Sequence, residues 1–248
     1  MNDDKRLGLS FITNFGCDTG CSYCIWNNHP LKNIHGPNNW SKISNILSFF
    51  PQEKISISGG GDPLFQFPDK FKNWNRSGRF MKYWYTNLFK ICEKLNRKID
   101  MHTSKIIDDI DFVKRFNKWV LHLDWERFRK HRKRLMNFPI PLRINFVFWP
   151  TLTLPRVNRL VKFANEYGLQ LSFREYYRPP YVDGLESEME MWFNAGRRDE
   201  YYDICDTIIE HEAKYQNVRY VHQNDYNVYY MPNDQVYTDF MCRRKPIC

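Results

Sequence analysis

The alternation of short apolar runs with stretches of helical spacing constrains this chain more than any single residue does. Strand-like runs occupy 7–15, 54–58, 98–104, 119–125, 142–149 and 169–176. Between them, 40–50, 81–96, 110–117, 126–137 and 154–167 carry apolar residues three and four apart, as a helix burying one face requires. The first helix shows the spacing at Ile43, Ile46, Leu47 and Phe50, with Ser41 near its start. The last shows it at Val157, Leu160, Val161 and Ala164, with Gly168 as its stop. Alternation of this kind predicts parallel strands joined by right-handed crossovers. Six units are too few to close an eight-stranded barrel, so the expected fold is α/β, a partial, open (β/α)6 barrel over 1–178. A C-terminal extension over 179–248 follows. A long loop or lid is expected at 177–198, which holds Pro179, Pro180, Gly184 and Gly196. A helix over 199–215 and a hairpin over 227–238, turning at Pro232-Asn233-Asp234, complete it.

Two loops at predicted strand ends carry the chemistry. Cys17-Asp18-Thr19-Gly20-Cys21-Ser22-Tyr23-Cys24 follows the first strand and spaces three of the seven cysteines as C-x3-C-x2-C. In a reducing compartment such crowding suggests metal ligation rather than disulfides. Three thiolates leave one iron of a four-iron cluster open, and an open position separates a reactive centre from a structural one. The alternatives are a zinc site completed by His29 or His35, and three reduced structural cysteines. The second loop, Ser58-Gly59-Gly60-Gly61-Asp62-Pro63-Leu64, follows the second strand. A glycine run there lets backbone groups approach a polar ligand closely. Both loops are expected at the carboxyl ends of neighbouring parallel strands, where such folds build their sites.

Together these motifs resemble the radical S-adenosylmethionine (SAM) enzymes. The triad, with the aromatic Tyr23 before its last cysteine, is similar to that family's cluster motif, and 59–63 is similar to its second-strand glycine motif. The resemblance continues through Met101-His102-Thr103-Ser104, Leu121-His122-Leu123-Asp124, 143–151 and Arg174-Glu175, and so spans 7–178. It departs where Asp62 stands in place of the usual Glu after an extra glycine. His122 also replaces a small polar residue, and Ser104-Lys105 replaces a common Asn-Gly.

The resemblance implies an enzyme in which Cys17, Cys21 and Cys24 anchor a [4Fe–4S] cluster whose open iron binds the amino and carboxylate groups of SAM. Reductive cleavage of SAM would yield a 5′-deoxyadenosyl radical that abstracts hydrogen from a substrate. Tyr23 would lie near the adenine, and Gly59, Gly60, Gly61 and Asp62 near the methionine amino group. Thr103, Ser104, Asn145 and Arg174 would supply polar contacts to SAM, Arg174 and Glu175 sharing the role with substrate binding. The implied electron donor is a protein such as flavodoxin or ferredoxin. The competing roles are a core position for Tyr23, helix capping for the strand-end hydroxyls, and an ordinary ion pair for Arg174 and Glu175.

Composition bears on the substrate. The chain is 42% hydrophobic and 26% charged, as a folded domain requires, and its 19 Phe, 15 Tyr and 8 Trp can build a core and line a cavity. Formal charge is +9, and Arg127, Arg129, Lys130, Arg132, Lys133 and Arg134 supply most of it. On the helix over 126–137, Phe128, His131 and Leu135 share a barrel-facing side, which leaves the cations outward as a solvated face or a polyanion contact. Residues 67–85 interleave Lys70, Lys72, Arg76, Arg79 and Lys82 with Phe71, Trp74, Phe80, Tyr83 and Trp84. That pattern suits base stacking as well as an amphipathic helix.

These features mildly favour a nucleotide or nucleic-acid substrate. A peptide-modifying enzyme is the alternative. It calls for an auxiliary iron–sulfur cluster on Cys242 and Cys248, with Cys205 as a third ligand, in a tail that loosely resembles a twitch-type extension. Without a second cluster, the hairpin closes the open barrel and exposes Arg243, Arg244 and Lys245. Cys92 is expected to be a buried small hydrophobe. A glycyl-radical activase with a large protein partner ranks third. The non-enzyme alternative is a metal-stabilised nucleic-acid-binding module. No run of eight apolar residues occurs, and 1–7 has no apolar signal, so a cytoplasmic protein with no membrane span is expected.

Overall fold

The computed structural model describes residues 8–21, 23–24, 29–32, 39–50, 53–58, 60–65, 76–176, 188–221 and 227–247. In chain order the strands are β1 (Gly8–Phe11), β2 (Lys54–Ile57), β3 (Lys98–Thr103), β4 (Lys118–His122), β5 (Leu142–Val147), β6 (Gln170–Arg174), β7 (Val218–Val221), β8 (Asn227–Tyr230) and β9 (Val236–Tyr237). The helices are α1 (Trp40–Phe49), α2 (Arg76–Lys94), α3 (Ile110–Val113), α4 (Trp125–Leu135), α5 (Leu154–Glu166), α6 (Glu188–Asn194) and α7 (Arg198–Lys214). The chain divides into two compact units, 1–119 with 225–248, and 120–224.

In the first unit the strand order is β3-β2-β1-β8-β9. All neighbours are parallel except the β8–β9 hairpin. The register sets Leu9 beside Ile55 beside Ile99, and Phe11 beside Ile57 beside Met101, so the period of two gives one continuous apolar face. All six side chains are buried, as are Ile43, Ile46 and Leu47 of α1 and Trp84, Leu88 and Phe89 of α2. The alternate positions align Ser10, Ser56 and Asp100, a polar row suited to the inner face of a partial barrel. Asn39, not Ser41, caps α1: its side chain accepts from Lys42 N at 3.0 Å. The expected hairpin forms, with Asp234 at φ 60 in its turn, but it lengthens the sheet at the edge of β1. Ile12 N donates to Tyr230 O at 2.8 Å just beyond that pairing. Arg243, Arg244 and Lys245 are exposed.

In the second unit β5, β6 and β7 run parallel, with Asn145 beside Ser172 and Phe173 beside Tyr220. Two elements depart from the sequence expectation. The expected loop over 177–198 contains α6, although 177–187 lie outside the described residues. Trp192 explains the helix: it is 0% exposed, its ring lies 5.0 Å from Phe148, and the Arg197 guanidinium stands 4.7 Å over it. The second departure is β7, four residues that extend the parallel run past β6.

Among the described residues the strands form a mostly parallel sheet that does not close, the α/β partial-barrel class that the alternation predicts. Among the described residues no helix is long and apolar enough to cross a membrane.

Candidate cofactor site

Because β1, β2 and β3 are parallel and in register, Phe11, Ile57 and Thr103 end on one edge of the first unit. The cysteine loop and the glycine loop leave from that edge and are joined by backbone bonds. Ser58 N donates to Phe11 O at 3.1 Å, Gly61 N to Asn14 O at 3.2 Å, and Asp62 N to Gly16 O at 3.0 Å. This junction is the physical reason for the glycines. A Cβ on Gly61 would stand 2.0 Å from Gly16 O, and Gly60, at φ +61, would place one 2.7 Å from Asn14 O. What the glycines approach closely is therefore the backbone of the cysteine loop. Gly59 lies outside the described residues.

Asp62 is 3% exposed and accepts three internal donors. Its Oδ1 takes Thr103 Oγ1 at 2.7 Å and Leu64 N at 2.9 Å, and its Oδ2 takes Ser104 N at 2.6 Å. Burial raises its pKa above the ordinary carboxylate value, and those three bonds oppose the rise. Thr103 Oγ1 also accepts from Lys105 N at 3.0 Å, so Thr103 and Ser104 are tied to the glycine loop rather than capping a helix. Lys105 Nζ reaches Asp18 Oδ2 at 2.7 Å, inside the cysteine loop. The carboxyl end of β3 thus holds both loops. Sequence reasoning alone misses Lys105 and Asp18; their opposite charges, in loops at two strand ends, are the available signal.

Cys17, Cys21 and Cys24 are half-buried on one loop and outside any disulfide, with Gly20 at φ 63 turning the chain between them. Thr19 N donates to Cys17 Sγ at 3.4 Å, and Cys24 N to Cys21 O at 3.1 Å. Tyr23 is half-buried in the same turn. Among the described residues no three His, Cys, Asp or Glu side chains stand together closely enough to hold a metal ion, so the three thiols share a loop without being gathered. The donor set still fits an iron–sulfur cluster, which takes soft thiolate ligands.

The neighbouring Asn14 offers a buried acceptor of the kind an amino group would use. It is 6% exposed, and its Nδ2 donates to Thr13 Oγ1 at 3.2 Å and Asp62 O at 3.4 Å, while its Oδ1 has no partner among the described residues. A buried acceptor at the loop junction is open to a donor from a ligand or a water. Sequence reasoning missed Asn14; a polar side chain interrupting an apolar run was the clue.

The zinc alternative fails at His29. Its Nδ1 accepts from Leu31 N at 3.0 Å, which leaves Nε2 to donate to Phe240 O. Both nitrogens are engaged, the ring stacks 4.1 Å from Phe15, and burial lowers its pKa. His35 and Cys248 lie outside the described residues. Cys242 is half-buried in the first unit and Cys205 belongs to α7 of the second. Cys92 is buried as expected, and its thiol is pushed up to about 12 by burial.

Asn145 and Arg174 belong to the second unit. Asn145, on β5, is 3% exposed, and its Oδ1 too has no partner among the described residues. Its backbone O accepts from Leu123 N at 3.0 Å. Arg174 ends β6 beside Val147. Burial, then the charges of Arg174 and Arg127, push His122 down to about 3, so it is neutral at neutral pH. Asp124, two residues on, caps α4 through Arg127 N at 2.8 Å.

No family model and no curated protein matches the sequence. Solved structures do. Streptococcus suis SuiB bound to S-adenosylmethionine is similar with a TM-score of 0.62 at 17% identity, over 97% of this chain and 63% of SuiB. SuiB bound to its precursor peptide SuiA gives 0.61 at 16% identity, over 97% of this chain and 62% of that one. The protein anSMEcpe with bound AdoMet and the Cp18Cys peptide gives 0.62 at 13% identity, over 94% of this chain and 74% of that one. The chain thus spans less than two thirds of SuiB. Its fold is the one these S-adenosylmethionine-bound proteins share.

Proposed function

We propose that the chain is a radical SAM enzyme whose Cys17, Cys21 and Cys24 hold a [4Fe–4S] cluster and whose substrate is a peptide. The observation that carries this reading is the junction of a C-x3-C-x2-C loop with a glycine loop at the carboxyl edge of parallel strands. When bound, the cluster and SAM supply the electron path and the hydrogen-abstracting radical. The protein's part is positioning. Gly60 and Gly61 let the two loops meet, and Asp62 locks the end of β3 against them. Asn14 Oδ1 would accept from the SAM amino group, and Tyr23 would serve the adenine side. Asn145 and Arg174 serve polar groups of SAM or substrate. A flavodoxin or ferredoxin is the electron donor.

The peptide is supported by the similar structures, which hold SuiA and Cp18Cys. A nucleotide or nucleic acid is the second reading, supported by the cations of α4. The test is metal content per chain after anaerobic purification and reconstitution, with 5′-deoxyadenosine formation under reductant. About four irons are expected. Cys21→Ala should lose both iron and SAM cleavage, and a variant that keeps both overturns the assignment. About eight irons would add an auxiliary cluster in the tail. Zinc in place of iron overturns the enzyme reading.

A further inference from the structure

The second unit carries a groove that the cofactor chemistry does not use. It lies along α4 and α5 and encloses about 350 Å3. Arg129 and Arg132 line it from α4, Arg159 and Lys162 from α5, and all four are exposed. Each pair is three residues apart, a helical rise of about 4.5 Å. The floor is Phe128 and Phe163, both buried and packed edge to face at 5.1 Å. Glu166 is the one carboxylate in the lining and Glu126 pairs with Arg129 at 3.0 Å, so the groove keeps a net positive charge.

The rings decide between anionic occupants. Base stacking needs an open aromatic face. Here the Arg132 guanidinium lies 5.5 Å over Phe163, the Arg156 guanidinium lies 5.2 Å over Trp125, and Phe128 packs against Phe146 and Phe163. Guanidinium groups laid on rings are instead well placed to take carboxylates in bidentate fashion. Cations three residues apart match carboxylates three or four apart on one face of a helix.

We infer that this groove docks an acidic, helix-forming peptide segment, which anchors the substrate away from the reacting residue. The choice of a peptide rests on the proposed function. The groove's charge and covered rings do not.

The experiment uses the full chain and fluorescence anisotropy. The probe is a labelled amphipathic peptide with Glu three and four residues apart and Leu between. Its Lys-for-Glu counterpart and an oligothymidylate of similar length are the controls. The acidic peptide should bind, more weakly at high salt. Arg132→Glu with Lys162→Glu should weaken it about tenfold or more, with an unchanged thermal melt. Should that pair fail to fold, Arg159→Gln should still weaken binding severalfold. Three results overturn the inference: no binding of the acidic peptide, binding indifferent to these substitutions, or an oligothymidylate that binds more tightly and is lost in the same variants. SAM cleavage without substrate should be unchanged in all of them. Intact cleavage with no peptide binding removes the groove and leaves the enzyme, whereas substitution-sensitive peptide binding without any cleavage removes the enzyme and leaves the groove.

Discussion

A carboxylate survives burial only among donors, and the three around Asp62 come from two different loops. Two lie on the end of β3, and one is Leu64 N in the glycine loop itself. The side chain therefore works as a clamp between chain segments remote in sequence. Thr103→Val removes one donor and leaves the packing volume intact. It should cost about 1–2 kcal/mol in urea unfolding. SAM affinity should fall while iron content stays the same. An unchanged urea midpoint would remove Thr103 from this role. His29 shows the same logic with a ring: two bonds set its tautomer and leave no nitrogen for a metal.

At the scale of elements, packing rather than propensity decided what the sequence left as loop. The segment before α7 is flanked by glycine and proline, and its helix forms because Trp192 has a pocket to fill. Tyr201 of α7 stacks on the same Phe148 ring at 5.2 Å, so α6 and α7 share one aromatic anchor. Trp192→Ala should destabilise the second unit by about 3–5 kcal/mol, read from chemical unfolding, and Trp192→Phe should recover much of it. Equal stability of wild type and Trp192→Ala would mean that α6 is held by something else. β7 is hard to read from sequence for a related reason. Its burial alternates little, and only its place beside β6 makes it a strand.

For the whole molecule, histidines whose burial favours the neutral ring contribute to how stability responds to acid. His122 titrates near 6.5 when unfolded and at about 3 when folded. Between those values the unfolded chain binds more protons, so stability falls as pH falls below about 6.5. His29 is lowered too and acts in the same direction. Asp62 is raised and opposes them between its raised value and the ordinary carboxylate value, where the folded chain binds the extra proton. From pH 6.5 to 5 a single group such as His122 accounts for about 2 kcal/mol. His122→Gln should flatten that limb of the stability curve, measured as urea midpoints against pH. Parallel curves for wild type and variant would show that another group carries the acid response.

What the amino-acid sequence determined by itself was periodicity and spacing. Alternating apolar runs specified parallel strands and crossovers, and C-x3-C-x2-C followed by Gly60-Gly61-Asp62 marked two strand ends for chemistry. Both are local patterns, and a chain carries local patterns wherever it goes. Partners remote in sequence were decided only in three dimensions. Asp62 meets Thr103 across 41 positions, Lys105 meets Asp18 across 87, and His29 meets Phe240 across 211. The need for glycine at 60 and 61 is likewise tertiary: a Cβ there would strike the backbone of 14–16, and only the close packing of the two loops reveals that contact.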